Sequence, residues 1–405
     1  MPFEDVQIGT SAFKRNPYPF YGYLRERSPV HQVTLPDGQK AWLVARYDDV
    51  SEFLKDSRFA KDRKNAMTVA QLAKQRRVPT YFAPLTRNML DRDDPDHARL
   101  RKLVLKDFTS RRVEKMAART QEIADQLLNR IKGRGSLDLM SDFALPLPIT
   151  VISELLGVPE ADRAKFARWS KTIIKNTMTP LSLLLSLPHL IGLVRYLRSL
   201  IDKKRRFPKD DLVTALVQVE DAGDQLDADE LLSMVGLLLS AGHETTTNLI
   251  GNGMLALIQN PDQLERLQAE PERMESAVEE LLRFASPVET STFRYARHDL
   301  ELSGTQIAQG DLVLGVIASA NRDERQFSHA ETLDISRSPN KHLSFGLGGH
   351  FCVGAPLARM EGAIAFNALL RRFPRLQIAV DPNEILWRRG LILRGLESLP
   401  LTLSR

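Results

Sequence analysis

The 405-residue sequence has a single cysteine, Cys352. One cysteine cannot form an internal disulfide bond or hold an iron–sulfur cluster. This excludes a disulfide-framework secreted domain and a fused iron–sulfur reductase. The lone thiol favours a reducing, cytoplasmic location. No apolar segment lies near the first residue, so no signal peptide is expected.

Long apolar runs are also scarce. The most hydrophobic stretch extends from Met178 to Ile201, but two prolines, a histidine and two arginines interrupt it. A membrane-spanning helix needs about 20 mostly apolar residues. We therefore predict two short helices or an apolar surface lobe here, and no membrane span.

Charge of one sign does not dominate, because the net charge is only +5. This value gives no reason to expect nucleic acid as a partner. Basic residues are nevertheless concentrated in one segment, at Arg99, Arg101, Lys102, Lys106, Arg111, Arg112 and Lys115. Such a face is usually only solvated, but it can also dock an acidic partner.

The rest of the sequence has an ordinary globular composition, without repeats or a Gly/Ser linker. Most of it has helical periodicity, and the strand-like pieces are short. One hairpin is predicted with its turn at Pro36–Gly38, a second sheet element within residues 299–318, and a third in the tail from Trp387. The charge run 202–211 is predicted to be an exposed loop. The fold class is mainly α with small β-sheets (α+β), in a single domain over residues 1–405.

One long helix is predicted to cross the whole domain. Asp227 and Glu230 form a capping-box pattern at its start, and Asn260-Pro261 ends it. About 33 residues at 1.5 Å each give roughly 50 Å. The helix is apolar around most of its circumference, which indicates burial on all sides.

Polar residues interrupt this helix at its middle, in the sequence Gly242-His-Glu-Thr-Thr-Thr. The zinc motif H-E-x-x-H is excluded, because Thr247 stands where the second histidine is needed. Two interpretations stay open. The residues form a satisfied core cluster that kinks the helix, or Glu244 and a threonine handle protons beside a ligand.

A second informative stretch is the glycine-rich loop that ends at Cys352. Its spacing matches neither a dinucleotide fingerprint nor a P-loop. Gly346, Gly348, Gly349 and Gly354 allow the backbone to approach a bulky group closely. A helix starts near Pro356, and its N-terminal dipole and amides favour a thiolate at Cys352. These features describe a soft anionic ligand on a rigid backbone.

These stretches resemble the signatures of the cytochrome P450 haem-thiolate monooxygenases. "FGLGGHFCVG" matches F-G-x-G-x-H-x-C-x-G, "AGHETT" is similar to A-G-x-D/E-T-T, and "EELLR" contains E-x-x-R. The motifs occur in family order, and the similarity extends from about Asn16 to the C-terminus. The sequence is most similar to soluble bacterial members that tailor polyketides and other secondary metabolites. The resemblance implies a triangular, helix-rich fold and the cofactor haem b.

The resemblance also implies roles for individual residues. Cys352 would be the axial metal ligand, Glu244 would relay protons, and Thr245 would hold bound oxygen. The haem carboxylates would be bound by His97, Arg101, Arg294 and His350. Glu280, Arg283 and Arg337 would form a buried triad that braces the cysteine loop. The sequence departs from the family pattern near this triad, at Glu324, Ser328, Ala330 and Leu333.

The resemblance further implies a substrate pocket and an electron donor. The residues expected to line the pocket are Phe82, Leu85, Met89, Leu237, Ala241, Val288, Thr292 and Ile392. They are mostly apolar, so a lipophilic small molecule is the expected substrate. Electrons would come from NAD(P)H through a reductase and a separate ferredoxin or flavodoxin. This donor would dock on the basic face formed by Arg99–Lys115, on one helix.

Three activities follow from these assignments. The first is a monooxygenase that uses O2 to hydroxylate or epoxidise its substrate. The second is a peroxygenase that is driven by peroxide, and family members of that type lack the acid–threonine pair. The third is a haem-thiolate sensor or carrier without turnover, which has no need for a proton relay. Glu244 and Thr245 therefore favour the monooxygenase.

Overall fold

The computed structural model describes residues 6–75, 80–175, 180–221 and 226–404 of the chain. Its α-helices are α1 Ser11–Arg15, α2 Tyr18–Arg27, α3 Tyr47–Phe53, α4 Val69–Lys74, α5 Asp96–Asp107, α6 Ser110–Ile131, α7 Pro146–Leu155, α8 Glu160–Lys175, α9 Pro180–Arg206, α10 Leu212–Asp221, α11 Ala228–Gln259, α12 Pro261–Ala269, α13 Met274–Ala285, α14 Ile317–Ala320 and α15 Ala355–Arg372.

The strands are short, and helices dominate the described chain, as the sequence predicts. The strands are β1 Val30–Thr34, β2 Lys40–Val44, β3 Phe59–Ala60, β4 Ser136–Asp138, β5 Arg294–Ala296, β6 Leu300–Leu302, β7 Thr305–Ile307, β8 Leu312–Gly315, β9 Arg375–Ile378 and β10 Pro400–Ser404. They form sheets in the orders β1-β2-β8-β5-β3, β4-β10-β9 and β6-β7. The predicted mainly α fold with small sheets is confirmed.

The predicted first hairpin is also confirmed. Strands β1 and β2 are antiparallel, with Val30 opposite Val44 and Thr34 opposite Lys40. Gly38 adopts a φ of +85° in the turn, a conformation that glycine reaches without steric cost. The second sheet element divides, because β6 and β7 pair with each other while β8 joins β2 and β5.

Helix α11 packs against several other helices and is mostly buried. Its capping box forms as predicted, with the Asp227 carboxylate accepting from the Glu230 amide and the Glu230 side chain accepting from the Asp227 amide. The helix then runs for 32 residues and ends before Asn260. It packs against α7, α13 and α15. It is continuous through Gly242, where a side chain would collide with Ile152 of α7 at 2.8 Å. Gly242 therefore allows close packing of α11 against α7.

Two predictions about the central segments need correction. The stretch from Met178 to Ile201 does not form two short helices. Its first two residues lie outside the described ones, and the rest belongs to α9, which continues through Pro188. Packing of α9 against α8, α10 and α11 stabilises the helix against the hydrogen bond that proline removes. The charge run 202–211 is only half a loop: residues 202–206 end α9, residues 207–211 form the predicted loop before α10, and Lys204 and Asp211 are buried in an ion pair while the other residues are exposed.

Candidate functional site

The cysteine loop is a tight backbone structure that ends at a helix. Gly346 and Gly348 have φ values of +70° and +71°, which the other amino acids rarely adopt. The Cys352 amide donates to the Phe345 carbonyl at 2.9 Å, which closes the loop. Helix α15 begins three residues later at Ala355, with proline in its first turn as predicted. The thiol is thus carried on a backbone of fixed shape.

Opposing influences act on the thiol of Cys352. The residue has exposed surface, yet neighbouring protein atoms desolvate the sulfur. This desolvation raises the pKa of the Cys352 thiol, while the amides of Gly354 and Ala355 and the charges of Arg101 and Arg359 lower it. Burial has the larger effect, so the pKa is raised overall. The helix N-terminus acts in the predicted direction but does not by itself produce a thiolate.

Basic side chains gather beside this loop. The rings of His97 on α5 and His350 lie 3.9 Å apart, and His97 also contacts the Asp94 carboxylate at 3.0 Å. Desolvation and the positive charges of Lys61, His97, Arg294 and Arg101 lower the pKa of His350 to about 2. The four predicted carboxylate-binding residues therefore converge on one place. A depression of about 380 Å³, lined by His97, Arg101, Gly348 and Gly349 among others, lies on this side of α5.

Lys61 is a fifth basic residue that the sequence did not indicate. It is 6% exposed, and its ammonium donates to the Thr292 hydroxyl and, at 3.3 Å, to the Phe293 carbonyl. Burial, together with the nearby charge of Arg294, lowers the pKa of Lys61 to about 7. No motif marks this lysine, because its position depends on the pairing of β3 with β5.

The residue types around the loop fit haem. Arg294 is 5% exposed and donates from one terminal nitrogen to the Leu54 carbonyl at 2.9 Å. Its Nε atom is buried and has no hydrogen-bond partner among the described residues. A buried guanidinium with an unused donor, placed among four other basic groups, suits an anionic ligand. A porphyrin with two carboxylates and a thiolate-bound iron matches this donor set.

The predicted triad residues lie together in the core. Glu280 and Arg283 of α13 are both 0% exposed. Arg283 donates to both carboxylate oxygens of Glu280, at 2.8 and 2.7 Å, and Arg337 donates to the same oxygens at 3.1 and 3.2 Å. The Asn340 amide adds a further bond at 3.1 Å. A buried carboxylate with this many donors is fully compensated.

The sequence departs from the family pattern in the segment after α14. Hydrogen bonds to the backbone of this segment hold it in place. Arg283 donates to the carbonyls of Asn321, Ala330 and Thr332, and Arg337 donates to that of Ser328. These bonds are made to backbone carbonyls, while the side chains of Ala330 and Leu333 are buried. Asn321 then accepts from the Leu343 amide at 2.7 Å, at the start of the cysteine loop.

A second, partly exposed ion pair connects α13 to α15, and no sequence motif marks it. Arg359 of α15 donates to both carboxylate oxygens of Glu279 at 2.7 and 2.8 Å. Burial alone would raise the pKa of Glu279, but hydrogen bonds from Arg359 and His342 lower it to about 2. The Arg359 guanidinium also lies over the Phe345 ring at 4.5 Å. Arg359 thus connects α13 and α15 with the Phe345 side chain of the loop.

Helix α11 has one open stripe in an otherwise buried middle section. Ser240 and Ala241 are exposed, Leu237 and Thr245 are half-buried, and residues 246–257 are buried. Residues 237, 241 and 245 are four apart and share one face of the helix. The Thr245 hydroxyl donates back to the Ala241 carbonyl at 3.2 Å. An open stripe on a helix that crosses the core indicates an internal space beside it.

The other predicted lining residues lie in three places. Phe82, Leu85 and Met89 pack against the helical core, and Leu85 approaches Gly236 next to the open stripe. Val288 forms a β-bridge with Leu393, beside Ile392. The Thr292 hydroxyl accepts a hydrogen bond from the Lys61 ammonium, so Thr292 lies at the basic cluster. The structure brings Leu85, Leu237 and Ala241 to one region and Val288 and Ile392 to another.

Glu244 is not on the open stripe. It is 4% exposed, and its Oε2 atom accepts from Nη1 of Arg388 at 2.8 Å. Its Oε1 atom lies 3.8 Å from Nε2 of His243. His243 is 0% exposed and donates from Nδ1 to the Leu239 carbonyl at 2.8 Å. Burial lowers the pKa of His243, so its ring is neutral at neutral pH. Arg388 is 144 residues away in sequence and was not predicted.

The predicted basic face needs two corrections. The segment Arg99–Lys115 is not one helix, because α5 ends at Asp107 and Thr109 caps the start of α6. Two of its basic residues are engaged in ion pairs, Arg99 with Glu230 and Arg112 with Asp210, both at 2.6 Å. The exposed cations are Lys102, Lys106, Arg111 and Lys115.

Among the described residues, no helix is both long and apolar enough to cross a bilayer.

Comparisons with known proteins point to one family over the whole chain. The cytochrome P450 family model matches residues 6–394. The polyketide biosynthesis cytochrome P450 PksS of Bacillus subtilis (strain 168) is 45% identical over 396 residues, 97% of this chain and 97% of that protein. The cytochrome P450 monooxygenase PikC of Streptomyces venezuelae is 46% identical over 407 residues, 100% of this chain and 95% of that protein. The solved structure of PksS has a TM-score of 0.91 at 43% identity, and the match covers 99% of this chain and 100% of that one.

Proposed function

The chain belongs to the cytochrome P450 family and is a haem-thiolate monooxygenase, and we propose that its substrate is a lipophilic secondary metabolite. The observation that carries the proposal is the open stripe on α11, where Thr245 stands beside apolar Leu237 and Ala241. Relatives named as a polyketide biosynthesis cytochrome P450 and as a 6-deoxyerythronolide B hydroxylase support this substrate class. We expect hydroxylation or epoxidation. A cytoplasmic location stays a prediction from the sequence.

Two sets of residues would hold haem b, one binding its iron and the other its carboxylates. Cys352 would ligate the iron, and His97, Arg101, Arg294 and His350 would bind the carboxylates. When bound, haem supplies an iron centre that activates O2, with a thiolate that donates electron density to it. Five basic groups near one loop would hold two carboxylates firmly, since charge-assisted hydrogen bonds are roughly twice as strong as neutral ones. Lys61 would be the fifth of these groups.

Proton handling falls to Glu244 and Thr245. Thr245 is on the open stripe, so its hydroxyl can exchange the Ala241 carbonyl for a small oxygen ligand in that space. Glu244 is the adjacent acid, buried and ion-paired. A side chain that transfers protons must reach the reacting group within hydrogen-bond distance, directly or through one water. Thr245 would therefore position the proton, and Glu244 would relay it from solvent, taking up one proton for each that it passes on.

Replacement of Thr245 by alanine tests these roles. With a substrate found by following the haem Soret band during a screen of macrolides, terpenoids, steroids and fatty acids, Thr245→Ala is expected to bind substrate normally. Product formed per NADH oxidised should fall by about tenfold or more, because a positioned proton-transfer group contributes 10²–10⁴-fold. The reducing equivalents that no longer yield product should appear as peroxide or water. Both are measured alongside NADH and O2 consumption.

Ser240→Ala is the matched control, since the Ser240 hydroxyl also donates four residues back, to Gly236 at 2.9 Å, on the same stripe. It should keep the wild-type coupling. Unchanged coupling in Thr245→Ala would show that the assigned role of Thr245 is wrong. Wild-type product that requires peroxide and ignores NADH would identify a peroxygenase. Substrate binding without any turnover would identify a sensor or carrier.

The electron donor would be a ferredoxin or flavodoxin that receives electrons from NAD(P)H through its reductase. The exposed cations Lys102 and Lys106 of α5 and Arg111 and Lys115 of α6 would dock its acidic surface. Exposed charges of this kind mainly accelerate the encounter between two proteins. Lys102 also lines the depression beside the cysteine loop, which supports docking close to the site.

The rate of first electron transfer is expected to fall steeply with salt. The Debye length shrinks from about 30 Å at 0.01 M to about 3 Å at 1 M ionic strength, which screens these charges. Joint charge reversal of Lys106, Arg111 and Lys115 to glutamate should slow reduction about tenfold in stopped-flow mixing, with substrate affinity unchanged. Lys132→Glu, an exposed cation just after α6, is the control. A salt-independent rate, or normal reduction of the triple variant, would remove the docking assignment.

A further inference from the structure

A cavity lies between α2 and the C-terminal part of α11, apart from the residues assigned to haem and substrate. Its volume is about 220 Å³, and its lining includes Tyr18 of α2 and Asn252 of α11. The exposed residues Arg15 and Pro382 also line it, so the cavity opens to solvent. Asn252 is seven residues past Thr245, which is about 10 Å along the helix. The cavity is therefore separate from the open stripe of α11.

The lining of this cavity is cationic. It includes three arginines, Arg15, Arg322 and Arg394, and none of the described residues that line it is acidic. Arg322 is fully engaged, because its guanidinium donates to the Glu331 carboxylate and to the Phe284 carbonyl. The other two arginines form no ion pair with a described residue. The cavity thus has an excess of positive charge, which attracts anions.

Arg394 is the cation best placed to bind a ligand in the cavity. It is 6% exposed, and its guanidinium lies over the Trp387 ring at 3.7 Å. Its Nε atom donates to the Lys14 carbonyl at 3.0 Å, while its two terminal nitrogens donate to no described residue. The Glu289 carboxylate is already bound by the Lys14 ammonium and the Tyr21 hydroxyl. A buried guanidinium without a carboxylate partner is costly unless an anion or water completes its hydrogen bonds.

A buried hydrogen-bond acceptor lies beside Arg394. Asn252 is 2% exposed, and its amide nitrogen donates to the backbone carbonyls of Arg394 and Ala285, at 2.8 and 3.3 Å. These bonds fix the amide, and its Oδ1 atom is buried without a partner among the described residues. An unpartnered buried polar atom indicates a water molecule or a ligand. Leu255 and Ile385 add apolar wall to the same cavity.

We propose that this cavity binds a small organic hydroxy acid, whose carboxylate pairs with Arg394 and whose hydroxyl donates to Oδ1 of Asn252. A carboxylate matches the paired N–H donors of a guanidinium. The apolar body of the ligand would pack on Leu255 and Ile385, and Arg15 would add a second cation at the opening. At about 30 Å³ for each water-sized group, the volume limits the ligand to roughly ten non-hydrogen atoms. This binding is independent of the proposed substrate and of proton handling.

The test is isothermal titration calorimetry of the haem-loaded full-length protein with the three isomers of hydroxybenzoate. They have the required size, and they differ in the distance between carboxylate and hydroxyl. Benzoate lacks the hydroxyl, and the hydroxybenzamides lack the charge. The Soret band is followed in the same titrations, because a ligand that binds at the haem shifts it.

At least one isomer should bind with a Kd of about 1 mM or below and leave the Soret band unchanged. Its amide should bind about tenfold more weakly or worse, since it cannot form the charged bonds to the guanidinium. Arg394→Gln should weaken binding of the acid by the same factor, about tenfold. In Asn252→Ala the advantage of hydroxybenzoate over benzoate should disappear.

Arg15→Glu and Arg27→Glu form a matched pair of variants. Both arginines are exposed, but only Arg15 lines the cavity. Arg15→Glu should weaken binding about fivefold, as expected for an exposed charge, and Arg27→Glu should match the wild type. The Arg15 side chain makes no bond to a described residue, so Arg15→Glu should fold even if Arg394→Gln does not.

Three results would overturn the inference. If no isomer binds saturably up to about 10 mM, the cavity holds only water. If the amide binds as tightly as the acid, the cavity does not select an anion. If Arg15→Glu and Arg394→Gln both bind hydroxybenzoate as Arg27→Glu does, the ligand lies elsewhere on the protein.

Discussion

Cys352→Ser is expected to lose NADH-driven turnover to background. The serine hydroxyl is a harder and far less acidic ligand than a thiol, so it cannot donate electron density to the iron as a thiolate does. Loss of a residue that only orients a metal ligand costs roughly 10–100-fold, and loss of the ligand itself should cost more. Turnover and haem content per protein are the measurements.

The fold should survive this substitution. The Cys352 backbone amide, not its side chain, makes the Phe345 bond that closes the loop, and the residue is exposed. Thermal unfolding of the protein without haem should therefore be nearly unchanged. A Cys352→Ser protein that retains wild-type turnover would show that another residue ligates the iron.

Glu280→Gln is expected to be among the most destabilising single substitutions in the chain. It removes the counter-charge from Arg283, which is 0% exposed, and weakens the bonds of Arg337. Breaking a buried ion pair costs about 3–5 kcal/mol, because an uncompensated charge stays in the core. The midpoint of thermal unfolding should fall by about 5 °C. Haem retention should fall with it, since the triad holds the segment that leads to the cysteine loop.

Glu270→Gln is the matched control. Glu270 also pairs with an arginine three residues away, Arg273, but about a third of each side chain is exposed. Exposed pairs of this kind contribute little to stability. Calorimetry should therefore detect a large change in the unfolding midpoint for Glu280→Gln and almost none for Glu270→Gln. Equal midpoints in the two variants would contradict the structural role of the triad.

Local sequence patterns predicted the parts of the fold that depend on near neighbours. The capping box at Asp227 and Glu230 forms within one helical turn, and the Gly38 hairpin closes over a few residues. The same holds for the start of α15 after Cys352, where proline and the helix dipole act locally. Motif spacing also indicated Glu280 and Arg283, which are three apart on one helix.

Features that depend on distant contacts could not be predicted in this way. Pro188 is a helix breaker by its local chemistry, yet tertiary packing keeps α9 continuous. Arg388 and Lys61 reach the site only through the folding of segments far from the motifs. The break between α5 and α6 has a weak local signal in Thr109, a favourable N-cap residue.

The most direct test of the account is the absorption spectrum of the purified, reduced protein with carbon monoxide. Haem ligated by the Cys352 thiolate should give the strongly red-shifted Soret band of thiolate-bound haem, and Cys352→Ser should lose it. A Soret band at the position typical of histidine-ligated haem in the unaltered protein, or no haem binding at all, would contradict the assignment of the site.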